Sequence, residues 1–222
     1  MIDLTSHTEL RVQQLAEPME IFTGFEGKNA YAVETSEGET LVHALEESGF
    51  FGRQILGGHR PLSLSLRDPS GTEILKARRP HYWFFSNMDV VSPEAGLVGR
   101  LKARFALLGR RYDILGPSGG VLAQVRGSML RPNTFKIMHQ GSEMARIVKH
   151  WGGLGREAFT KADRFHIEYS RQSPSRELAL LLLTLAIVID LDFFEDRGRK
   201  RSGFSVGNRG GLGGFSGRGM GR

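Results

Sequence analysis

The sequence contains no cysteine. This absence excludes disulfide bonds, thiolate zinc sites, a cysteine nucleophile and palmitoylation. The first 17 residues also lack the basic start and the apolar stretch of a secretory signal. No uninterrupted apolar run reaches the roughly 18 residues typical of a membrane-spanning helix. We therefore expect a protein that stays inside the cell, where thiols are kept reduced.

Acidic residues are absent from the last part of the chain. The formal net charge is +6, yet the segment 197–222 carries seven basic residues and no acidic one, whereas residues 1–196 carry 23 basic and 24 acidic side chains. Binding to phosphates needs basic residues on the face that meets them. The near-neutral part of the chain therefore does not indicate nucleic-acid binding, and only the tail could support it.

Short alternating runs of apolar and polar residues recur between positions 21 and 169. Four pairs of runs flank turns rich in glycine, proline, serine or aspartate, at residues 36–38, 68–71, 116–120 and 140–142. This pattern predicts four β-hairpins, and the run 165–169 predicts a last strand. Many short antiparallel strands favour a closed barrel or a sandwich, because closure removes exposed strand edges.

An apolar helix is predicted after the last strand. Residues 178–189 contain no charged side chain, and Thr184 is their only polar residue. Ser173 is predicted to cap this helix, with Pro174 at its first position, where a missing N–H costs nothing. A helix that is apolar on all sides must be surrounded by apolar material. The residues assigned to this central helix include Leu181, Leu185, Ile189, Asp190, Phe193 and Phe194.

The length of this helix bears on whether protein or lipid surrounds it. Residues 178–194 would span roughly 26 Å, less than the hydrocarbon thickness of about 30 Å. The carboxylates Asp190 and Asp192 shorten the uncharged run further. We therefore favour a buried core helix. A marginal membrane span is the alternative, because both carboxylates lie near one end, where a charge costs less than at the bilayer centre.

Basic residues stand beside large aromatic residues at one point of the chain, and a basic run follows the apolar helix. Such pairings suit a membrane interface, where Trp and Tyr rings settle at headgroup level and arginine meets anionic lipid. A core-facing strand with a solvated basic flank, and a solvated domain end, are the alternatives. The candidate lipid-contact residues are Arg78, Arg79, Tyr82, Trp83, Phe84, Phe85, Arg197, Arg199, Lys200 and Arg201.

No pattern typical of an active site is present. The seven histidines never occur at a metal-ligand spacing such as H-E-x-x-H, and the glycine-rich run 152–155 lacks the spacing and the lysine of a phosphate loop. Ser118 lies in a Gly-Pro-Ser-Gly turn and not at a strand-turn-helix elbow. We expect no catalytic residue, no cofactor and no enzymatic activity.

The glycine- and arginine-rich segment 197–222 is predicted to be disordered, because it cannot bury enough apolar area to fold. Its arginines could contact single-stranded RNA through phosphates and base stacking. Another acidic partner would suit the same composition.

Several separated motifs resemble the phospholipid scramblase family. The stretch EPMEIFTGFE at 17–26 is similar to the opening segment of that family, and IVKHW at 147–151 and REAFT at 156–160 resemble its later signature. The signature continues in order and spacing through Ala162, Asp163, Phe165, Ile167, Ile189, Asp190 and the run 193–195. The resemblance covers residues 17–196. It implies a mainly β fold similar to the tubby C-terminal domain, a closed twelve-stranded antiparallel barrel around a central apolar C-terminal helix.

The resemblance also implies an activity, the ATP-independent, calcium-stimulated movement of phospholipids in both directions between leaflets. Two departures from the family pattern affect this expectation. In the segment that matches the family's calcium site, residues 161–172, only Asp163 and Glu168 are carboxylates. Calcium prefers several oxygen ligands, so we predict weak or absent calcium binding. The family's cysteine-rich palmitoylation segment is also missing.

These observations predict three regions: a short N-terminal lead at 1–16, a barrel domain at 17–196 and a tail at 197–222. The expected function is phospholipid movement or membrane lipid binding by a monomer at anionic phospholipid, peripherally on the cytoplasmic face of the plasma membrane. Single-pass insertion is the less favoured arrangement. The alternative function is a soluble tubby-like scaffold whose tail recruits RNA or an acidic partner.

Overall fold

The computed structural model describes residues 2–15, 29–47, 61–82, 86–106, 109–150, 164–170 and 174–195. These residues form twelve strands, one α-helix and a final π-helical turn. The elements are β1 (Glu9–Gln14), β2 (Ala30–Thr35), β3 (Thr40–Glu46), β4 (Leu62–Arg67), β5 (Glu73–Arg79), β6 (Asn87–Ser92), β7 (Gly96–Arg104), β8 (Arg110–Leu115), β9 (Val121–Gly127), β10 (Thr134–His139), β11 (Ser142–His150), β12 (Arg164–Tyr169), α1 (Arg176–Asp190) and the turn Leu191–Glu195.

The twelve strands close into one antiparallel barrel. Each strand pairs with its neighbours in sequence, and β1 pairs with both β2 and β12 to complete the ring. Closure satisfies the backbone hydrogen bonds of every strand on both sides, which an open sheet of this size could not do. The predicted closed twelve-stranded antiparallel barrel is confirmed.

The four predicted hairpins are β2–β3, β4–β5, β8–β9 and β10–β11. Their turns need residues in the left-handed region, and glycine adopts that region without a steric penalty. Gly38 and Gly71, both at φ +89°, occupy this conformation in the first two turns. Local turn chemistry and alternating burial therefore account for these strand pairs.

Strand β1 lies in the segment that the sequence predicted as an N-terminal lead, so the barrel begins before residue 17. Leu10 and Val12 point into the core and are fully buried, while their neighbours Glu9 and Arg11 form an ion pair on the outside. Two apolar positions are a weak alternating signal. Pairing with β2 and β12 organises the strand, and that pairing is not visible in the sequence.

Helix α1 runs through the middle of the barrel, and every residue from Leu178 to Asp190 is buried. The prediction of an enclosed apolar helix is confirmed for Leu181, Leu185 and Ile189, each with 0% of its surface exposed. The hydroxyl of Thr184 donates to the carbonyl of Leu180 four residues earlier, at 2.9 Å, so the one uncharged polar side chain is satisfied within the helix.

The predicted helix start was wrong by two residues. Ser175 caps the helix, with its hydroxyl oxygen accepting a hydrogen bond from the amide of Leu178 at 3.3 Å, and Pro174 precedes the cap. A serine at this position satisfies one of the free amides of the first turn. Ser173 lies outside the described residues.

Strand β7 approaches the helix closely at Gly99. A Cβ atom on this residue would lie 2.4 Å from the carbonyl oxygen of Leu115 and 2.9 Å from Cδ1 of Leu181. No side chain fits there, so glycine is required for close packing of strand and helix. The helix is in direct van der Waals contact with the barrel wall at this point.

Candidate functional site at the C-terminal end of the helix

The C-terminal end of α1 lies at the barrel end where β5 and β11 finish and β2 and β8 begin. Asp190, the last residue of the helix, contacts Tyr31 at the start of β2 and Lys149 at the end of β11. We call the cationic residues that contact this end, Arg79, Arg110 and Lys149, the clamp.

Lys149 and Asp190 form a buried ion pair. The Lys149 Nζ donates to Asp190 Oδ1 at 2.9 Å, and the two side chains are 0% and 5% exposed. The hydroxyl of Tyr31 donates to the other carboxylate oxygen, Asp190 Oδ2, at 3.1 Å. Burial of a charge is tolerated when it is both paired and hydrogen-bonded, and both conditions hold for Asp190.

Arg79 forms the second ion pair of the clamp. Its Nη1 donates to both carboxylate oxygens of Asp192 at 2.8 Å, and the Arg79 side chain is 1% exposed. The guanidinium also lies over the ring of Tyr82, with 5.2 Å from Cζ to the ring centroid. Arg79 was predicted as a headgroup contact, but its charge is directed into the barrel, where Asp192 requires a partner.

Aromatic residues of the final turn complete the contact. Arg110 lies over the ring of Phe193, with 3.8 Å between Cζ and the ring centroid, and Lys149 lies 4.1 Å from the centroid of Phe194. Phe193 packs edge-on against Tyr112, at 6.3 Å between centroids. Burial, together with the nearby negative charge of Asp192, raises the pKa of Tyr112 well above its ordinary value, so this phenol stays neutral.

The clamp has a clear physical consequence for the helix. Withdrawal of α1 would separate two ion pairs that are largely shielded from water and would expose the apolar interior of the barrel. Loss of one partner from a buried pair costs about 3–5 kcal/mol. The two ion pairs and the burial of apolar surface therefore both oppose withdrawal of the helix.

Sequence reasoning did not identify this arrangement. It treated Asp190 and Asp192 as interruptions of an apolar run and assigned Arg79 to the surface. One signal was available: carboxylates at the end of a buried helix require cationic partners. Nothing in the sequence indicated which of the basic residues on the strands would supply them.

The other predicted site residues divide into three groups. Arg78 is exposed on the outside of β5, and Tyr82 is partly buried beside Arg79. Glu168 faces outward on β12, with one oxygen 3.9 Å from Nε of Arg146. The remaining lipid-contact candidates, Trp83, Phe84, Phe85, Arg197, Arg199, Lys200 and Arg201, lie outside the described residues, so lipid contact stays a prediction for them and for Arg78 and Tyr82. Asp163, the other carboxylate of the calcium segment, also lies outside the described residues.

The described residues also bear on metal binding and on membrane crossing. Within them, no group of three or more histidine or acidic side chains is arranged to hold a metal ion. Among the same residues, no helix combines the length and the apolar character needed to cross a bilayer.

The fold and the clamp define a class of protein, a closed antiparallel barrel filled by one apolar helix that is fixed at its C-terminal end. The scramblase family model matches residues 2–196, and the chain belongs to the scramblase family. This confirms the resemblance that the separated motifs indicated.

Curated relatives show the same family at low identity. The chain is 29% identical over 217 residues to "Phospholipid scramblase 1" of Rattus norvegicus, a match that covers 90% of this chain and 64% of the relative. It is 28% identical over 201 residues to "Phospholipid scramblase 2" of Homo sapiens, covering 83% of this chain and 66% of the relative. The chain thus spans just under two thirds of the length of these relatives.

One further relative has a name of a different kind, and one solved structure is similar at much lower sequence identity. "Altered inheritance rate of mitochondria protein 25" of Saccharomyces cerevisiae is 26% identical over 237 residues, covering 87% of this chain and 72% of that protein. A solved structure of an Arabidopsis thaliana protein superposes with a TM-score of 0.47 at 13% identity, covering 86% of this chain and 97% of that one.

Proposed function

We propose that this scramblase-family protein binds phospholipid at a membrane surface through the outside of its barrel and its basic tail, while helix α1 stays enclosed. The observation that carries the proposal is the clamp, because it fixes the carboxylates of the helix end inside the barrel. Phospholipid is proposed as the ligand because of the family relationship and the names of the relatives. In this proposal the protein is a cytoplasmic monomer held peripherally at the inner face of the plasma membrane, and it makes and breaks no covalent bond.

A second candidate is phospholipid scrambling, after which the relatives are named, in the bidirectional form that the family resemblance implies. If α1 provided the path for lipid, it would have to leave the barrel and insert in the bilayer. Its 15 residues would span only about 22 Å as an α-helix, short of a hydrocarbon core of about 30 Å. Membrane binding without transport is therefore the function that the geometry supports better.

The test is vesicle flotation of the full-length chain and of a chain that lacks residues 197–222. We expect the full-length protein to float with vesicles that contain phosphatidylserine and much less with pure phosphatidylcholine. About 1 M salt should release it, because charges are then screened within about 3 Å. The truncated chain should bind more weakly but still measurably. In vesicles with fluorescent lipid and external dithionite, we expect no transfer between leaflets.

Two results would contradict the proposal. Transfer of labelled lipid would mean that the chain transports phospholipid, and the enclosed helix would have to open. Loss of all vesicle binding on removal of the tail, without lipid transfer, would support the alternative of a scaffold domain whose tail recruits RNA or an acidic partner.

The loss of carboxylates from the family's calcium segment leads to a separate expectation. Residues 161–163 lie outside the described residues, and Glu168 is a strand residue beside Arg146. Calorimetric titration of the full-length chain with calcium should give no saturable heat below millimolar concentration, because at least six oxygen ligands are required for a calcium site. Sub-millimolar affinity would show that other residues replace the missing carboxylates.

A further inference from the structure

Five basic side chains, one from each of five consecutive strands, stand in a single row across the outside of the barrel. The pairing register joins Arg104 to Arg111, Arg111 to Arg126, Arg126 to Lys136 and Lys136 to Arg146. Neighbouring strands lie about 4.8 Å apart, so the row extends over roughly 19 Å. We call these five residues, Arg104, Arg111, Arg126, Lys136 and Arg146, the basic row.

The basic row is unfavourable for folding by itself. Like charges directly opposite one another on neighbouring strands destabilise a sheet. Carboxylates compensate the charges at both ends of the row. At one end, Nε of Arg104 lies 2.5 Å from Oδ2 of Asp113. At the other, the two oxygens of Glu143 lie 2.8 Å from Nζ of Lys136 and 2.6 Å from Nη2 of Arg146. The cost of gathering the row is thus reduced at its ends.

The centre of the row has no such compensation. Within the part of the chain that the structure describes, no carboxylate lies within ion-pair distance of Arg111 or Arg126. Arg126 Nη2 donates a hydrogen bond to Oε1 of Gln124 at 3.4 Å. Two adjacent exposed guanidinium groups are therefore available for an anion from outside the molecule. Their planar donor groups match the oxygens of a phosphate.

A surface cleft lies along the Arg104 half of the row. It has a volume of about 310 Å³ and is lined by Arg104, Phe105, Arg111, Tyr112, Asp113, Gln124, Val125 and Arg126. Asp113, the one carboxylate of this lining, is paired with Arg104. The cleft brings three of the five cations to one concave surface, and Phe105 adds an apolar edge. A phosphate-bearing headgroup with apolar chains beside it has this mixture of chemistry.

Apolar side chains project from the two loops next to the row. Phe105 follows β7 directly and is 75% exposed, while Met129 and Leu130 follow β9 and are 68% and 94% exposed. Antiparallel order places the β7–β8 and β9–β10 loops at the same end of the barrel. Exposed apolar residues next to basic ones are typical of surfaces that enter a lipid interface.

We propose that the basic row and the loop residues Phe105, Met129 and Leu130 form the surface that docks on anionic phospholipid bilayers. The guanidinium groups contact lipid phosphates, and the three apolar side chains enter the headgroup region. This inference rests on the proposed function and adds the surface that performs it. A bilayer fits better than a nucleic acid, because Met129 and Leu130 cannot stack on bases but gain free energy by leaving water.

The charged half of the surface is tested with R111Q/R126Q in the full-length chain. The matched control is R11Q/R100Q, which also removes two positive charges from the outside of the barrel but away from the row. Binding to phosphatidylserine-containing vesicles should weaken roughly tenfold or more in R111Q/R126Q and about twofold or less in the control. Because repulsion is relieved, R111Q/R126Q should unfold at the same or a higher temperature than wild type.

The apolar half is tested with M129S/L130S against V121S, which alters an exposed apolar residue at the opposite end of strand β9. Relative to wild type, we expect vesicle binding several-fold weaker for M129S/L130S and unchanged for V121S. If wild type and R111Q/R126Q float equally well with vesicles, the proposed role of the basic row is wrong, while the proposed function stands. Wild-type protein that does not float would overturn both. If R111Q/R126Q lost binding to a homopolymeric RNA that wild type binds, and kept its vesicle binding, the row would be a nucleic-acid surface instead.

Discussion

Replacement of Lys149 by methionine is expected to lower the free energy of unfolding by about 3–5 kcal/mol. The substitution keeps the apolar stem of the side chain and its contact with Phe194 but removes the cation that lies 2.9 Å from Asp190. The carboxylate is then left in a site that is 5% exposed, where the desolvation of its charge is no longer offset. Urea unfolding should show a lower midpoint with an unchanged slope.

A double substitution separates the ion pair from mere packing at the same position. Asp190→Leu alone leaves Lys149 buried without its carboxylate and should also be strongly destabilising. The combination K149M/D190L replaces both charges by apolar groups, and such replacements are often close to neutral. We therefore expect the double variant to be more stable than either single variant.

Lys136→Met is the matched control for Lys149→Met. Lys136 also forms a 2.8 Å ion pair, with Glu143, but its side chain is 51% exposed. Surface pairs contribute about 0–1 kcal/mol, so this variant should unfold almost like wild type. A loss below about 1 kcal/mol for Lys149→Met would show that the clamp does not hold the helix.

Leu181→Ala is expected to lower the free energy of unfolding by about 2.7–5 kcal/mol. Leu181 is fully buried on the helix face that meets Gly99 of β7. Truncation removes apolar contacts and leaves a cavity, because the glycine that faces it has no side chain to fill the space. Thermal unfolding should show the loss as a drop in Tm.

The control for this prediction is Leu130→Ala, the same change at a residue that is 94% exposed. Its expected effect is within about 0.5 kcal/mol, as for surface substitutions in general. Equal effects for the two variants would contradict the enclosure of α1. If the helix faced lipid or solvent, Leu181→Ala would lower the free energy of unfolding by less than it does in a helix packed against the barrel wall.

Much of the fold was predictable because it depends on neighbours in sequence. Alternating burial and turn glycines such as Gly38 and Gly71 identified four hairpins. Strand β1 was missed, since its two buried residues, Leu10 and Val12, become a strand only when β2 and β12 pair with it. The helix cap was misplaced by two residues because Ser173 and Ser175 offer the same chemistry on either side of Pro174.

The candidate site was less predictable than the fold. Asp190 and Asp192 were recognised as unusual at the end of an apolar helix, but their partners Lys149 and Arg79 are 41 and 113 residues away in sequence. Arg79 was assigned to the surface because it stands beside Arg78 in the chain. In a strand, adjacent side chains point to opposite faces, and here Arg78 faces outward while Arg79 faces the helix end.

The residue pattern by itself determined a fold of short antiparallel strands, a barrel or a sandwich, with one helix whose apolar circumference requires enclosure. The resemblance to the scramblase family added the closed twelve-stranded barrel. Its charge balance also indicated a near-neutral domain, with 23 basic and 24 acidic residues before position 197. Only the tertiary structure decided where those charges meet. Strand register gathers five cations from Arg104 to Arg146 on the outside and directs Lys149 and Arg79 to the helix end on the inside. No periodic pattern in the sequence indicates either arrangement, because both depend on hydrogen-bonded pairing between strands.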